Sequence, residues 1–317
     1  MNRIKTLLTS TIIALSSFGI VNAQDVNAAI EAYNAGATAA QEENYVAAIE
    51  KLTNAMEIAS ALGEEGASVV GDCKNLIPTL YLRQGKELAA AKNNTEALAI
   101  LAKASETATA YGDTNGVVAE AKEVCGKVYM AIANGAFNDK NFEEAIANYA
   151  QVLAIEPENG AAYLRSGMAL LNTGKEEEAI AALEKAKSFG QEAAAAKQIG
   201  TFYLKKAVSA QKSKAWQEVY DNAKLSIAQN DAAQANKLLG LAAIELKKFD
   251  EALSAWTKVM EANPSAKDIN TTYYRMAVSY EGLGQKGNAC SYYKKLLSDP
   301  NFKSVAEYKI KTELKCE

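Results

Sequence analysis

Small and large apolar residues recur along this chain with the three- and four-residue spacing of amphipathic α-helices. The block at residues 141–146 reads NFEEAI, and altered copies of it begin at residues 44, 94, 175 and 249. Each copy is centred on an alanine that has one small residue twelve positions earlier and another seven positions later. An internal repeat of this kind predicts paired helices that stack on their neighbours, because one pair cannot bury its apolar face alone.

The recurring positions fall into three sets. The small residues before the central alanine are Gly36, Gly85, Ala133, Gly167 and Gly240. The small residues after it are Ala55, Ala104, Val152, Ala186 and Val259. The larger residues that we expect to fill the space beside them are Leu52, Leu101, Tyr149, Leu183 and Trp256. Small side chains let two backbones approach closely, so the pattern predicts tightly packed helical hairpins.

This pattern resembles the tetratricopeptide repeat family, in which an aromatic residue precedes the central alanine and a proline closes the unit. Pro157 and Pro264 close two copies, and degenerate copies around Trp216 and Ala289 bring the number of units to seven. The resemblance covers residues 25–303 and implies an all-α fold, a right-handed superhelical solenoid of about seven helix-turn-helix units plus a C-terminal capping helix. It places a solenoid at 24–303, with units near 29–62, 66–110, 115–158, 160–190, 193–230, 232–264 and 269–300, and a capping helix at 304–317.

The units near the N-terminus are longer than the rest. The first two steps between central positions are 49 and 48 residues, whereas the usual step of the family is 34. The extra residues, around 61–75 and 111–123, do not have the composition of loops. We therefore expect the helices of the first three units to be extended by about two turns, with a kink near Pro78.

The C-terminal segment carries one more apolar stripe. Phe302, Ala306, Ile310 and Leu314 recur every four residues, with lysines and glutamates between them. This spacing predicts a helix that ends near Lys315. The resemblance implies that such a helix caps the exposed end of the stack, where a polar outer face aids solubility.

Four cysteines are present, at positions 73, 125, 290 and 316, and they allow three pairings. Their order and the repeat arrangement favour Cys73–Cys125 and Cys290–Cys316, the second of which would tie the capping helix to the last unit. The alternative, that all four are small buried apolar residues, stays open. No CxxC pair occurs, so a thioredoxin-like redox site is not indicated.

The N-terminus has the pattern of a secretory signal peptide. Arg3 and Lys5 precede an uncharged, largely apolar stretch at 7–21, and Val21-Asn22-Ala23 offers small residues at the cleavage positions. We expect residues 1–23 to be removed and the protein to be exported. A periplasmic location is favoured, with secretion or outer-membrane association as alternatives. No later segment is long and apolar enough to be expected to span a membrane.

Composition excludes several classes of function. The chain has no histidine, so it cannot hold a Ser-His-Asp triad or a histidine-ligated zinc ion. The formal net charge of −4 argues against nucleic-acid binding, which needs a basic surface. The run Gly282–Gly287 matches the dinucleotide fingerprint in letters, but it follows a predicted helix rather than a strand. We expect no catalytic residues, no metal site and no cofactor.

The resemblance also implies where a partner binds, because the first helix of each unit lines the concave surface of the family's superhelix. A basic row is expected there, comprising Arg83, Lys86, Lys127, Arg165 and Lys205. The remaining residues expected in this groove are Met130, Asn134, Phe137, Met168, Leu171 and Leu204. Such a groove suits a peptide with acidic groups and apolar anchors. The alternatives are an ordinary solvated face for the basic row and closer hairpin packing for the apolar one.

The function that this sequence predicts is therefore a non-enzymatic protein–protein interaction scaffold. It would be exported and would hold a protein or peptide partner in its concave groove, as an accessory of an envelope assembly such as an outer-membrane complex. The alternative is a periplasmic chaperone for unfolded or outer-membrane clients, which predicts a wide apolar groove.

Overall fold

The computed structural model describes residues 23–316, which are α-helical with short turns and contain no β-strand. The expected all-α architecture is thus confirmed. The predicted signal peptide lies outside the described residues except for Ala23, which begins the first helix. The chain divides into two compact units, unit 1 up to Ala162 and unit 2 from Tyr163 onwards.

Unit 1 is built from three consecutive helical hairpins. Its helices are α1 (Ala23–Gln41), α2 (Tyr45–Ala61), α3 (Ala67–Ala90), α4 (Asn94–Tyr111), α5 (Val117–Asn138) and α6 (Phe142–Ile155). Each odd-numbered helix packs against the next even-numbered one, and α2 and α4 also pack against the helix that follows. Neighbouring hairpins therefore cover each other's apolar faces, as in other helical repeat proteins.

Unit 2 continues the same alternation. Its helices are α7 (Gly160–Asn172, which begins at the end of unit 1), α8 (Glu176–Ala186), α9 (Glu192–Lys212), α10 (Trp216–Gln229), α11 (Ala233–Glu245), α12 (Phe249–Ala262), α13 (Ile269–Gly282), α14 (Lys286–Lys294) and α15 (Lys303–Tyr308). A turn at Lys187–Gln191, with Gly190 in a left-handed conformation, joins α8 to α9. The helices α9/α10, α11/α12 and α13/α14 form hairpins, and α10 and α12 each pack on the next hairpin.

The recurring small and large residues are the contact points within the hairpins. A Cβ atom on Gly36, Gly85 or Gly167 would lie 2.7 Å from the side chain of the leucine sixteen residues later. In the α5–α6 hairpin Ala133 and Tyr149 belong to one buried cluster. The repeat pattern read from the sequence therefore corresponds to close backbone approach inside each hairpin.

The helices near the N-terminus have the extra length that the spacing predicts. Helix α3 has 24 residues and α5 has 22, compared with 13 for α7 and 11 for α8. Pro78 lies inside α3, and the helix continues through it. A proline in this position removes one backbone hydrogen bond, and its side chain is buried.

Every hairpin turn contains one residue in the left-handed conformation, always two positions before the second helix. These residues are Glu43, Lys92, Lys140, Gly174, Lys214, Lys247 and Gly284, with φ between 56° and 77°. Left-handed φ values favour glycine, yet five of the seven positions hold a charged residue. The turn geometry is therefore a constant feature that the residue types do not reveal.

The C-terminal segment differs from the expected single helix. Helix α15 ends at Tyr308, and a π-helical turn at Lys309–Glu313 follows it. The apolar stripe nevertheless packs as its spacing predicts, because Phe302, Ile310 and Leu314 contact the buried cluster around Tyr293. Lys309 adds ion pairs to Glu281, at 2.6 Å, and to Glu313, at 2.8 Å.

Candidate functional site

The basic residues predicted in unit 1 are largely compensated by carboxylates. Lys86 on α3 forms an ion pair with Glu120 on α5. Lys127 pairs with Glu123, one turn earlier on its own helix, at 2.5 Å. This hydrogen bond raises the pKa of Lys127 and lowers that of Glu123. These two lysines are therefore less available to an acidic partner than the sequence suggests.

Arg83 is the remaining basic residue of the predicted row in unit 1, and it is half-buried near a tyrosine–glutamate pair. Tyr45 donates a hydrogen bond to the Glu87 carboxylate. Burial and this hydrogen bond raise the pKa of Tyr45 to about 12, while the positive charge of Arg83 opposes the shift. Arg83 makes no ion pair within the described residues.

The other predicted groove residues of unit 1 take part in hairpin packing. Met130 and Phe137 pack against the buried cluster around Tyr149. The ring of Phe137 meets that of Phe142 edge to face, with centroids 5.5 Å apart. Asn134 accepts a hydrogen bond of 2.8 Å from the Tyr149 hydroxyl. These side chains are half-buried, so part of each is used in hairpin packing and part remains accessible.

In unit 2, the predicted residues divide in a similar way. Leu171 packs against the cluster around Leu183, and Leu204 packs against the cluster around Val219. Met168 is half-buried, and Arg165 is exposed on the same helix. Lys205 is exposed on α9. The predicted basic residues of unit 2, Arg165 and Lys205, are therefore exposed, whereas the apolar residues predicted on the same helices are half-buried.

Helix α9 presents a row of three lysines, Lys197, Lys205 and Lys212, which we call the α9 lysine stripe. Spacings of eight and seven residues place all three on one side of the helix. All three are exposed, and none forms an ion pair within the part of the chain that the structure describes. Half-buried Leu204 and Val208 border the row. The stripe therefore combines unpaired positive charge with an apolar edge.

The neighbouring lysine on the same helix differs from the stripe because it has a carboxylate partner. Lys206 lies on another side of α9 and forms an ion pair of 2.7 Å with Glu176. Sequence reasoning identified Lys205 but missed Lys197 and Lys212. Their heptad-like spacing along a predicted helix was the available signal, but the absence of carboxylate partners becomes visible only in the folded chain.

The charge of the chain is distributed unevenly between the two units. Residues 24–162 contain 20 acidic and 9 basic residues, whereas residues 163–317 contain 18 acidic and 23 basic residues. The net charge of −4 for the whole chain conceals this difference. The basic character that a binding surface for acidic partners needs is therefore concentrated in unit 2.

The cysteines are only partly paired. Cys290 and Cys316 form a disulfide with Cα atoms 5.8 Å apart, which joins α14 to the C-terminal segment. The favoured Cys73–Cys125 pair is absent, and both residues are free thiols. Cys73 points into the cluster that α3 shares with α1 and α2, whereas Cys125 packs against the cluster of α4 and α5. The two thiols therefore face different layers of the core.

Within residues 23–316, the glycine run lies in a hairpin turn, and neither a metal-binding cluster nor a membrane-spanning helix is found. The glycine run at 282–287 occupies the end of α13, the following turn and the start of α14, with Gly284 in the left-handed turn position. Residues 23–316 contain no group of three or more acidic or cysteine side chains placed to hold a metal ion. None of their helices has the length and apolar character needed to cross a membrane.

Comparison with solved structures finds similar helical repeat proteins. The chain is similar to MamA protein, with 26% sequence identity and a TM-score of 0.35 over 59% of this chain and 95% of the other. It is similar to YrrB, described as a TPR protein with an unusual peptide-binding site, with 21% identity and a TM-score of 0.33 over 57% and 90%. MamA from Desulfovibrio magneticus RS-1 gives 17% identity and a TM-score of 0.32 over 54% and 93%.

Family models identify the repeat itself. No curated protein matches this chain. Residues 136–199, which include α6, α7 and α8, match a model described as Tetratricopeptide repeat. Residues 271–301, which include most of α13 and all of α14, match a second model with the same description. Residues 136–199 and 271–301 therefore match the tetratricopeptide repeat that the spacing pattern predicts.

Proposed function

We propose that this protein is a non-enzymatic interaction scaffold that binds an acidic protein segment along α9. Stacked helical repeats create extended surfaces that such proteins use for binding, and the tetratricopeptide repeats supply this architecture. The observation that carries the proposal is the α9 lysine stripe, in which Lys197, Lys205 and Lys212 are exposed and lack carboxylate partners in the described chain. Arg165 on α7 is a further basic residue of the proposed surface.

The chemistry of the stripe indicates what kind of segment fits. The Lys197 and Lys212 Cα positions lie about 22 Å apart along the helix, at 1.5 Å per residue. A partner helix or extended strand with carboxylates at similar intervals could meet all three lysines. Leu204 and Val208 would contact an apolar side chain between those carboxylates. The predicted groove residues of unit 1 are secondary in this proposal, since Lys86 and Lys127 already have carboxylate partners.

We further propose that the protein works after export, in the periplasm, as an accessory of an envelope complex. The signal-like N-terminal pattern is the first support. The Cys290–Cys316 disulfide is the second, because disulfides persist mainly in oxidising compartments. A chaperone role has less support, because the described large apolar residues with high exposure, Val46, Leu225, Leu297 and Tyr308, are scattered over separate elements.

Site-specific photo-crosslinking in the producing cell tests this function. A benzophenone amino acid at Thr201, which is exposed on the same side of α9 as the lysines, should crosslink to one partner in stoichiometric amounts. The same amino acid at exposed Ser254 on α12 provides the matched control. Fractionation of the same cells shows whether the adduct is in the periplasm.

The lysines themselves are tested by charge reversal in the crosslinking strain. The triple variant Lys197→Glu, Lys205→Glu and Lys212→Glu should lose the Thr201 adduct while its circular dichroism stays helical. An adduct that survives this reversal, or that forms equally at Ser254, would refute binding at α9. A ladder of many unrelated adducts would instead favour the chaperone alternative.

A further inference from the structure

The first hairpin of unit 1 carries a row of carboxylates, Glu43, Glu50, Glu57 and Glu64, which we call the α2 glutamate stripe. Glu50 and Glu57 lie seven residues apart on one side of α2, while Glu43 lies in the turn before that helix and Glu64 lies in the short helical turn after it. All four are exposed, and none forms an ion pair within residues 23–316. Residues 24–66 contain 8 acidic residues and one basic residue, Lys51, so little nearby positive charge compensates the stripe.

The α2 glutamate stripe and the α9 lysine stripe are complementary in charge and in spacing. Glu50 and Glu57 are seven residues apart, as are Lys205 and Lys212, so each pair is separated by about 10 Å along its helix. Each stripe also has an apolar element. Val46, on the same side of α2, is 67% exposed, and Leu204 and Val208 border the lysines.

We propose that the α9 lysine stripe of one copy of this chain binds the α2 glutamate stripe of a second copy. This inference rests on the proposed function, because it names a partner for the same α9 surface. The observation that selects a second copy is that the chain itself supplies an exposed acidic helix with matching intervals. Opposite charges at matched intervals on two helices select partner and orientation in the same way as charged pairs that flank a coiled-coil seam.

The proposed contact joins two different surfaces, so it is heterologous. After a dimer forms, one copy keeps its glutamate stripe unused and the other keeps its lysine stripe unused, so further copies can add in the same sense. Contacts between exposed charges are weak and are screened by salt. The expected behaviour is concentration-dependent self-association at low ionic strength that disappears at high ionic strength.

Sedimentation velocity on the full-length exported protein tests the proposal. At an ionic strength of about 0.01 M, where the Debye length is about 30 Å, the sedimentation coefficient should rise with protein concentration. At about 1 M, where the Debye length is about 3 Å, it should stay at the value of the monomer. A monomer at every concentration and ionic strength would overturn the proposal.

A charge exchange identifies the two surfaces. The variants Glu50→Lys with Glu57→Lys, and Lys205→Glu with Lys212→Glu, should each fail to self-associate, because like charges then face each other. An equimolar mixture of the two variants should associate again, since the lysines on α2 of one then face the glutamates on α9 of the other. Failure of the mixture to associate would overturn the assignment of the stripes.

A matched control separates this contact from a general effect of net charge. Lys103→Glu with Lys122→Glu makes the same change in charge at exposed positions on α4 and α5, and it should leave self-association intact. The proposed function is followed separately, by binding of a labelled acidic peptide to the native protein. Native protein that binds the peptide but stays a monomer at every concentration and ionic strength would refute the second-copy contact and leave the acidic-segment function standing.

Discussion

A Cβ atom on Gly240 would lie 2.5 Å from the indole Nε1 of Trp256, closer than any real Cβ contact. Trp256 is only 2% exposed, and its Nε1 has no hydrogen-bond acceptor among the described residues. The indole therefore occupies the space that a side chain at position 240 would need. The same relation links Gly36 to Leu52 and Gly167 to Leu183, so the close contact is part of the repeat.

Gly240→Ala is predicted to destabilise the protein despite the better helix propensity of alanine. Filling a packed core position forces neighbours to shift, which typically costs about 1–3 kcal/mol. Urea unfolding followed by circular dichroism measures the effect. The control is Gly71→Ala inside α3, where no atom lies within 4 Å of the added Cβ. That variant should gain about 0.5–1 kcal/mol, since alanine is preferred over glycine inside a helix. Equal effects of the two substitutions would contradict the packing explanation.

Lys247→Gly is predicted to stabilise the turn between α11 and α12. Lys247 has φ of 58°, and a left-handed conformation costs a residue with a side chain about 1–2 kcal/mol. Glycine removes this cost but loses part of the gain through its greater freedom in the unfolded chain. We expect a net gain of about 0.5–1 kcal/mol, measured as a higher Tm. Lys103→Gly, at an exposed position inside α4, should lower the Tm instead, because glycine is unfavourable inside a helix.

Reduction of the Cys290–Cys316 disulfide is predicted to loosen the C-terminal segment. The bond closes a loop with a sequence separation of 26, for which chain-entropy models give about 3.5 kcal/mol. Hydrogen exchange in residues 303–316 should accelerate in dithiothreitol and in a Cys316→Ser variant. Dithiothreitol should have no further effect on that variant. Unchanged exchange in both cases would mean that apolar packing and the Lys309 ion pairs hold the segment without the bond.

The two free thiols are predicted to react at different rates. Burial, with a smaller contribution from Asp72, raises the pKa of Cys73 to about 12, so little thiolate forms at neutral or mildly alkaline pH. Burial also raises the pKa of Cys125, which is less buried. Alkylation of the native protein, followed by mass spectrometry, should label Cys125 first, and Cys73 should react only when the chain unfolds. Rapid labelling of Cys73 in the native state would contradict its place in the core.

The hairpins could be predicted from sequence because their contacts are local and repeated. Gly36 and Leu52 are sixteen residues apart, and the same interval recurs at Gly240 and Trp256. Each of these repeats therefore shows the same requirement for a small residue opposite a large one. The lengths of α3 and α5 follow from the number of residues between successive copies in the sequence. The left-handed turn residue was not predicted, because it is defined by its backbone conformation. The residues that adopt this conformation are of different types, such as Glu43 and Lys247.

The candidate site was less predictable because it depends on which charges meet after folding. Lys86 and Lys127 have the same residue type as Lys205 and also lie on the first helix of a hairpin, but carboxylates of α5 pair with the first two. Lys86 and Glu120 are 34 positions apart in the chain. The repeat pattern does not specify which charged residues form such pairs. Likewise, the Cys73–Cys125 bridge was favoured by order along the chain, which carries no information about the core layer that each thiol faces.

The most direct test of the central claim measures binding of an acidic peptide to the α9 lysine stripe. The probe is a fluorescein-labelled peptide with glutamates at heptad spacing and leucines between them, followed by fluorescence anisotropy at low ionic strength. The account predicts saturable binding to the native protein and at least about a tenfold rise in Kd, or 1.4 kcal/mol, for the Lys197→Glu, Lys205→Glu, Lys212→Glu variant. The Lys103→Glu, Lys122→Glu, Lys140→Glu variant should bind as the native protein does. Equal Kd values for the two triple variants would contradict the claim that α9 is the binding surface.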